Sequence, residues 1–179
     1  MSSNYGIAIS GRSGCGNTTV SKLLAKKLGF TLVNYTFRTM AAEMGIEFEE
    51  LRRLAEQSDE YDRQLDRNQL ALAQKNNCVL GSRLAVWLYK DADLKVYLKA
   101  SPRVRSDRVF KREGGDREVT FRNTEARDAA DQARYLRIYD IDTADYSHVD
   151  LVINVENYLP DQIANIILCA FNERRSSGS

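Results

Sequence analysis

The stretch Gly11-Arg12-Ser13-Gly14-Cys15-Gly16-Asn17-Thr18 says more about the fold than any other part of the 179-residue chain. It follows the apolar run 5–10, which is typical of a short β-strand, and it precedes residues 20–28, whose apolar positions share one helical face. It matches the pattern G-x-x-x-x-G-K-[ST] at all fixed positions but one. Glycines let such a loop curl so that its N–H groups point at phosphate oxygens, and the following helix adds partial positive charge. Strand, loop and helix in this order predict a phosphate-binding site.

The exception is Asn17, which stands where the pattern has lysine. Asparagine brings no charge to a phosphate, and charge-assisted hydrogen bonds are about twice as strong as neutral ones. Arg12, inside the loop, is expected to restore part of that charge. Thr18 holds the position whose hydroxyl binds Mg²⁺ in such loops. The alternative is a glycine-rich turn that binds nothing.

Outward from the loop, short apolar runs alternate with longer helical patterns. The runs are too short for helices and rich in Val, Ile, Leu and Tyr, as in buried parallel strands. After the first, they cover residues 31–35, 78–82, 94–98 and 151–155. The helical patterns include a highly charged one at 47–75, broken near Ser58, one at 102–113, and one at 117–137 that is expected to lie over a cleft. Strands that alternate with helices predict an α/β fold with a parallel sheet.

Composition narrows the class of protein further. At about 150 residues per domain, the length predicts one domain. Lys and Arg number 26 against 25 for Asp and Glu, a balance that gives no reason to expect nucleic acid or an anionic membrane as partner. The three cysteines are odd in number and far apart, which suits a reducing cytosol better than disulfides or a metal site. We therefore predict a cytoplasmic protein, with residues 176–179 as a flexible tail.

Several stretches beyond the loop carry a resemblance to a known family. They are Phe37-Arg38, Leu65-Asp66-Arg67, the run 81–87 (GSRLAVW), the run 93–100 (DLKVYLKA), the run 111–114 (KREG), Arg134-Tyr135 and the run 139–142 (YDID). With them the chain resembles the nucleoside monophosphate kinases, and most of all the short cytidylate kinase of archaea and some bacteria, from Ile7 to about Phe171.

The resemblance implies a fold and a reaction. The expected fold is a P-loop NTPase three-layer α/β domain at 1–175 with a five-stranded parallel sheet, a helical NMP-binding segment at about 36–76 and a short lid at about 112–134. The reaction transfers the γ-phosphoryl group of ATP to CMP or dCMP with Mg²⁺. The partners would be small nucleotides only, and the protein a monomer. The residues expected to bind ATP are Gly11, Arg12, Ser13, Gly14, Cys15, Gly16, Asn17, Thr18 and Thr19, with Thr18 as the metal ligand.

The acceptor side is expected to be rich in arginine, because arginine binds phosphate bidentately. By resemblance, the monophosphate and the nucleoside would contact Arg38, Arg83, Arg127, Asp131 and Arg134, the last three in the family spacing R-x-x-x-D-x-x-R. A carboxylate suits the 4-amino group of cytosine, which uracil lacks, so Asp131 is the candidate for base choice. The alternative is that these are solvated side chains paired along a helix.

The residues expected to act in catalysis are Asn17, Arg12, Arg112, Arg127 and Arg134. A second departure from the family concerns the end of the third strand, where related kinases carry an acidic residue and this chain has Gly81. The metal would then be held chiefly by Thr18 and the phosphates. Because both the usual lysine and the usual acid are missing, a non-catalytic or weakly active nucleotide-binding protein is one alternative. A kinase for another small acceptor, such as shikimate or a nucleoside, is a second, which the arginines disfavour.

Overall fold

The computed structural model of the protein describes residues 4–176. Its strands are β1 (Gly6–Gly11), β2 (Thr31–Val33), β3 (Cys78–Gly81), β4 (Leu94–Lys99) and β5 (Leu151–Asn154). Its helices are α1 (Asn17–Leu28), α2 (Phe37–Met44), α3 (Phe48–Gln57), α4 (Glu60–Ala73), α5 (Ala85–Leu88), α6 (Pro102–Glu113), α7 (Arg117–Tyr139) and α8 (Pro160–Ser176). Each of the five predicted apolar runs forms a strand.

The strands form one parallel sheet in the order β2-β3-β1-β4-β5. Ile9 of β1 lies beside Gly81 on one side and Val96 on the other, so the carboxyl ends of three central strands meet at one edge. β2 and β3 lie on one side of β1 in the sheet, and β4 and β5 lie on the other, so the strand order reverses at β1. Ligands of open α/β sheets bind in the crevice at such a switch point.

Helices cover both faces of the sheet, which confirms the predicted three-layer α/β fold. On one face, α1 and α8 bury a cluster that includes Ile9, Leu24, Val96 and Phe171, each fully inaccessible to solvent. Burying a side chain of this size contributes roughly 2–3 kcal/mol. The opposite face carries a second cluster built around Leu80, Val86, Tyr89 and Tyr97.

Two helix boundaries bear on the sequence prediction. The predicted break near Ser58 is confirmed, since α3 ends before it and α4 begins at Glu60. Ser176 is still helical and its hydroxyl donates to the carbonyl of Asn172 at 3.0 Å, so α8 reaches the first residue of the tail predicted at 176–179. Residues 177–179 lie outside the described residues. Among residues 4–176, no helix combines the length and the apolar character needed to cross a membrane.

Candidate active site

The loop between β1 and α1 has the backbone of a phosphate-binding loop. Gly14 and Gly16 both have positive φ, 83° and 94°, a conformation that other L-residues rarely adopt. A Cβ on Gly14 would lie only 2.5 Å from the carbonyl oxygen of Arg105, so α6 packs directly against the loop. Thr18 and Thr19 are exposed in the first turn of α1, where a ligand on the loop would meet them. The loop is therefore open to solvent on one side and supported on the other.

Cys15 lies beneath the loop and not on its open side. Its side chain is only 2% exposed, and burial raises the pKa of its thiol. Its backbone N–H donates to the carbonyl of Arg12 at 3.1 Å. Within the predicted ATP-binding stretch, Cys15 thus acts as a small packing residue whose N–H is already used inside the loop.

Asn17 closes the loop on itself. Its side-chain Nδ2 donates to the carbonyl oxygen of Gly11 at 2.6 Å, and its Oδ1 is buried. A charged lysine in this position would extend toward the phosphates, whereas the asparagine holds the two ends of the loop together. The contact joins the start of α1 to the end of β1, and a catalytic role of Asn17 stays a prediction.

The last residue of β3 is Gly81, and α1 leaves no space for a side chain at this position. A Cβ at this position would lie 2.3 Å from Oγ and 2.8 Å from Cβ of Ser21, which is fully buried. The acidic residue expected at this strand end therefore cannot be accommodated beside Ser21. Residues 4–176 also hold no cluster of three or more His, Cys, Asp or Glu that could bind a metal. These residues would fit a Mg²⁺ ion carried by phosphates, to which Thr18 would add one hydroxyl, since Mg²⁺ keeps most of its ligands as water and phosphate oxygens.

Three of the predicted acceptor residues meet beside the loop. Arg83 follows β3 and forms an ion pair with Asp131 of α7. Arg134, one turn further along α7, donates from Nη2 to Oδ1 of Asp131 at 3.1 Å. Together with Gly11, Arg12 and Ser13, the side chains of Arg83 and Asp131 line one cleft. Burial lowers the pKa of Arg83, whereas burial of Arg134 is outweighed by neighbouring acids, above all Asp62, so that its pKa is raised.

The other predicted arginines lie elsewhere in the structure. Arg127 is exposed on α7, near enough to Arg83 for its charge to contribute to the lowered pKa of that group. Arg112 is exposed at the end of α6 and pairs with its neighbour Glu113 at 2.6 Å. Arg38 places its guanidinium 4.1 Å from the centre of the Phe48 ring. Their predicted roles stay predictions.

A second cleft flanks the loop on the side of β4 and β5. Its volume is about 400 Å³, within the ~300–1,000 Å³ typical of small-molecule sites. Its lining includes Arg12, Tyr97, Lys99, Tyr146 and Glu156. The loop thus borders both clefts, which share Arg12 and Tyr97 in their lining.

Sequence analysis gave no role to a row of acids that runs from the N-cap of α4 along the helix and faces α7. Asp59 forms an ion pair with Arg137 at 2.6 Å, and the carboxylate of Asp62 lies 3.7 Å from Nη1 of Arg134. One turn further, Tyr139 donates its hydroxyl hydrogen to Asp66 at 2.5 Å. Spacings of three and four residues place the acids on one helical face, which is the signal that could have identified them.

Asp66 gives a prediction for the dependence of stability on pH. Burial raises the pKa of this carboxyl to about 6, above its ordinary value of 3.8. Because the folded-state pKa is raised, ionisation of Asp66 costs stability in full above pH 6, and the cost shrinks as the pH falls from 6 to 3.8, below which the unfolded chain also holds this proton. We expect Asp66→Asn to raise the free energy of unfolding at pH 7.5 by about 1–3 kcal/mol and to raise it much less at pH 4.5. Urea unfolding at the two pH values measures the difference.

Asp59→Asn is the matched control on the same helical face. A hydrogen bond from Arg137 lowers the pKa of Asp59, so its ionised form stabilises the fold above its ordinary pKa. This variant should therefore lower stability at pH 7.5, the opposite sign. If Asp66→Asn and Asp59→Asn change stability in the same direction at pH 7.5, the buried-carboxyl explanation is wrong.

The sheet order and the loop define the class of this protein: it has the P-loop kinase fold. The shikimate kinase from Acinetobacter baumannii, solved in complex with shikimate, has the same fold, with a TM-score of 0.62 over 95% of this chain and 94% of that one. The two sequences are only 17% identical, so this likeness concerns the fold alone.

Within that class, the chain belongs to the cytidylate kinase-like family, whose sequence model matches residues 6–157. A protein named cytidylate kinase 2 from Borreliella afzelii is 46% identical over 172 residues, which cover 94% of this chain and 97% of the relative. A protein named cytidylate kinase from Pyrococcus horikoshii is 41% identical over 168 residues, covering 93% of this chain and 88% of the relative. These findings confirm the resemblance that the sequence motifs indicated.

Proposed function

We propose that the protein is a cytidylate kinase that transfers the γ-phosphoryl group of ATP to CMP or dCMP, with CDP or dCDP and ADP as products. The observation that carries the proposal is the meeting of Arg83, Asp131 and Arg134 beside the phosphate-binding loop. This arrangement places anion-binding groups next to the point where a triphosphate would end. Family membership and the names of relatives above 40% identity support the same reaction.

On the donor side, the backbone N–H groups of the loop and the amino end of α1 would hold the ATP phosphates, with Arg12 as a positive side chain within the loop. Thr18 would bind a Mg²⁺ ion carried by those phosphates. When bound, Mg²⁺ neutralises charge that develops on the transferred group. No covalent enzyme intermediate is required, because the protein acts by positioning and by charge neutralisation.

On the acceptor side, the phosphate of CMP would bind the guanidinium groups of Arg83 and Arg134. In this structure both groups contact Asp131. A phosphate monoester offers the bidentate geometry that arginine binds best. Arg38 and Arg127 would complete the positive surroundings from α2 and α7, and Arg112 would approach from the end of α6 when the lid, at about 112–134, covers the nucleotides. Covering the site excludes water and prevents hydrolysis of ATP.

Of the alternatives, a non-catalytic nucleotide-binding protein is not favoured, because relatives that match over nine-tenths of the chain carry the name cytidylate kinase. The likeness to a shikimate kinase supports no such substrate here, since it concerns the fold alone. The proposal also includes a monomeric cytoplasmic enzyme of pyrimidine nucleotide metabolism that binds neither nucleic acid nor membrane. The nearly balanced charge supports that part of it.

The test is a coupled assay of ADP production with ATP and Mg²⁺, in which CMP is compared with UMP, AMP and no acceptor. Turnover with CMP in the range of about 1–100 s⁻¹, usual for kinases, would support the proposal and show that the loop works without its lysine. A folded protein that produces no more ADP with CMP than without acceptor would overturn it.

Replacement of Asp131 by alanine tests base choice. A hydrogen bond to a charged group contributes about 1.5–3 kcal/mol, so the preference for CMP over UMP should fall about tenfold or more. The ratio of kcat/KM for the two acceptors is the measurement, because loss of the ion pairs with Arg83 and Arg134 affects both acceptors alike. Glu118→Ala, which removes an exposed carboxylate from the same helix, should leave the ratio unchanged. An unchanged ratio in Asp131→Ala would remove Asp131 from this role.

A further inference from the structure

Beneath the phosphate-binding loop lies an ion pair that the proposed reaction does not use. Nη1 of Arg105, on α6, lies 2.6 Å from Oδ2 of Asp128, on α7, and the two side chains are only 2% and 7% exposed. Buried ion pairs pay a large desolvation penalty and are poor evidence for stability as such. Their position in the structure is therefore the more informative property.

The guanidinium of Arg105 is bonded to the backbone of the loop. Its Nη1 donates to the carbonyl oxygen of Ser13 at 3.1 Å, and its Nε donates to the carbonyl of Ala100, just after β4, at 3.2 Å. The backbone of Arg105 is also the group against which Gly14 packs. Arg105 thus joins the loop, the end of β4 and, through Asp128, the helix that carries Asp131.

We propose that Arg105 and Asp128 are positioning residues for the donor phosphates. Arg105 holds the carbonyl of Ser13 on the buried side of the loop, and this orientation directs the following N–H groups to the open side. Asp128 fixes the guanidinium in place and neutralises it. Since Asp131 lies one helical turn after Asp128, the same pair sets the distance between the donor loop and the acceptor cluster.

The pair has particular weight in this chain because the loop lacks its lysine. Binding of phosphate then depends on correctly oriented N–H groups, and side chains hold the loop at three carbonyls: Asn17 binds that of Gly11, Arg105 that of Ser13 and Arg108 that of Gly14. The inference rests on the proposed function in one respect, namely that the loop binds the phosphates of ATP.

The test is a double variant, Arg105→Met with Asp128→Leu, which removes both charges together. Buried ion pairs replaced by apolar residues of similar volume often leave stability unchanged or improved, so the variant can separate folding from positioning. We expect the Kd for MgATP, measured by titration calorimetry, to rise at least tenfold, and the KM for ATP to rise far more than the KM for CMP. The matched control is Arg103→Met with Glu118→Leu, an exposed ion pair at 2.7 Å between the same two helices. It should leave both constants within twofold of wild type.

Arg105→Lys is a second variant, for use if the double variant does not fold. It keeps the positive charge beside Asp128 but lacks the planar guanidinium. Its Kd for MgATP should rise severalfold with an unchanged melting temperature. Wild-type affinity for MgATP in either folded variant would overturn the inference. Failure of the wild-type protein itself to bind MgATP would instead overturn the proposed function, so the two failures are distinguishable.

Discussion

Replacement of Arg134 by methionine is expected to lower kcat/KM for CMP by about 10²–10³-fold, the usual effect of removing one charge-stabilising donor from a phosphoryl-transfer or oxyanion site. Arg134 is about one-third exposed and lies between the carboxylates of Asp131 and Asp62. The acceptor phosphate would compete with these carboxylates for its guanidinium. The KM for ATP should change little, since the donor loop is not touched. Steady-state kinetics with CMP varied at saturating ATP, and the reverse, measure the two effects.

Two further variants make this result interpretable. Arg134→Lys keeps a positive charge opposite the buried Asp62 but cannot bind a phosphate bidentately, so it should still lose about tenfold or more. Arg137→Met, one turn away on α7, removes an exposed arginine that pairs with Asp59 and should leave kcat/KM for CMP within about threefold of wild type. Equal losses in Arg134→Met and Arg137→Met would contradict a specific role of Arg134 at the acceptor phosphate.

Gly81→Asp is expected to destabilise the protein by about 3 kcal/mol or more, although it introduces the acidic residue that the family resemblance implies at this strand end. The new Cβ would overlap Ser21, and the carboxylate would enter a buried position between α1 and β3. Urea unfolding gives the change in the free energy of unfolding. Activity of the variant should fall together with its folded fraction, with no gain from the added carboxylate.

A double-mutant cycle isolates the steric part of that effect. Gly81→Ala alone should be destabilising, because the clash begins at Cβ. Ser21→Gly removes the side chain it meets and costs about 1 kcal/mol in a helix. In the double variant the two changes should be less than additive. Full additivity would show that Ser21 is not what excludes a side chain at position 81.

Local features of the sequence were enough to predict much of the fold. The loop at 11–18 and the five apolar runs depend on motif spacing and periodicity within a few residues, and each lies where it was predicted. The acceptor cluster was predicted in part: Arg83, Asp131 and Arg134 meet. That outcome depended on family resemblance, because i, i+3 and i, i+4 spacing along a charged helix equally predicts surface ion pairs.

Long-range contacts were beyond that reasoning. Arg105 looks like any arginine of a charged helix, and such residues are rarely buried unless paired. Its partner Asp128 lies on the next helix, so only the packing of α6 against α7 brings them together. Gly81 and Ser21 likewise lie close together because α1 packs on β3, and residue spacing in the sequence does not predict this contact.

The row of acids at Asp59, Asp62 and Asp66 has a consequence for how α4 and its amino end are held to α7. The contacts are two ion pairs and a tyrosine–carboxylate hydrogen bond. The Asp59–Arg137 pair is exposed and is screened by dissolved ions, because the Debye length at physiological ionic strength is about 8 Å, whereas the buried Asp62 is screened much less. Added salt should therefore weaken the contact at the amino end of α4 and leave the buried contact of Asp62 with Arg134 largely intact.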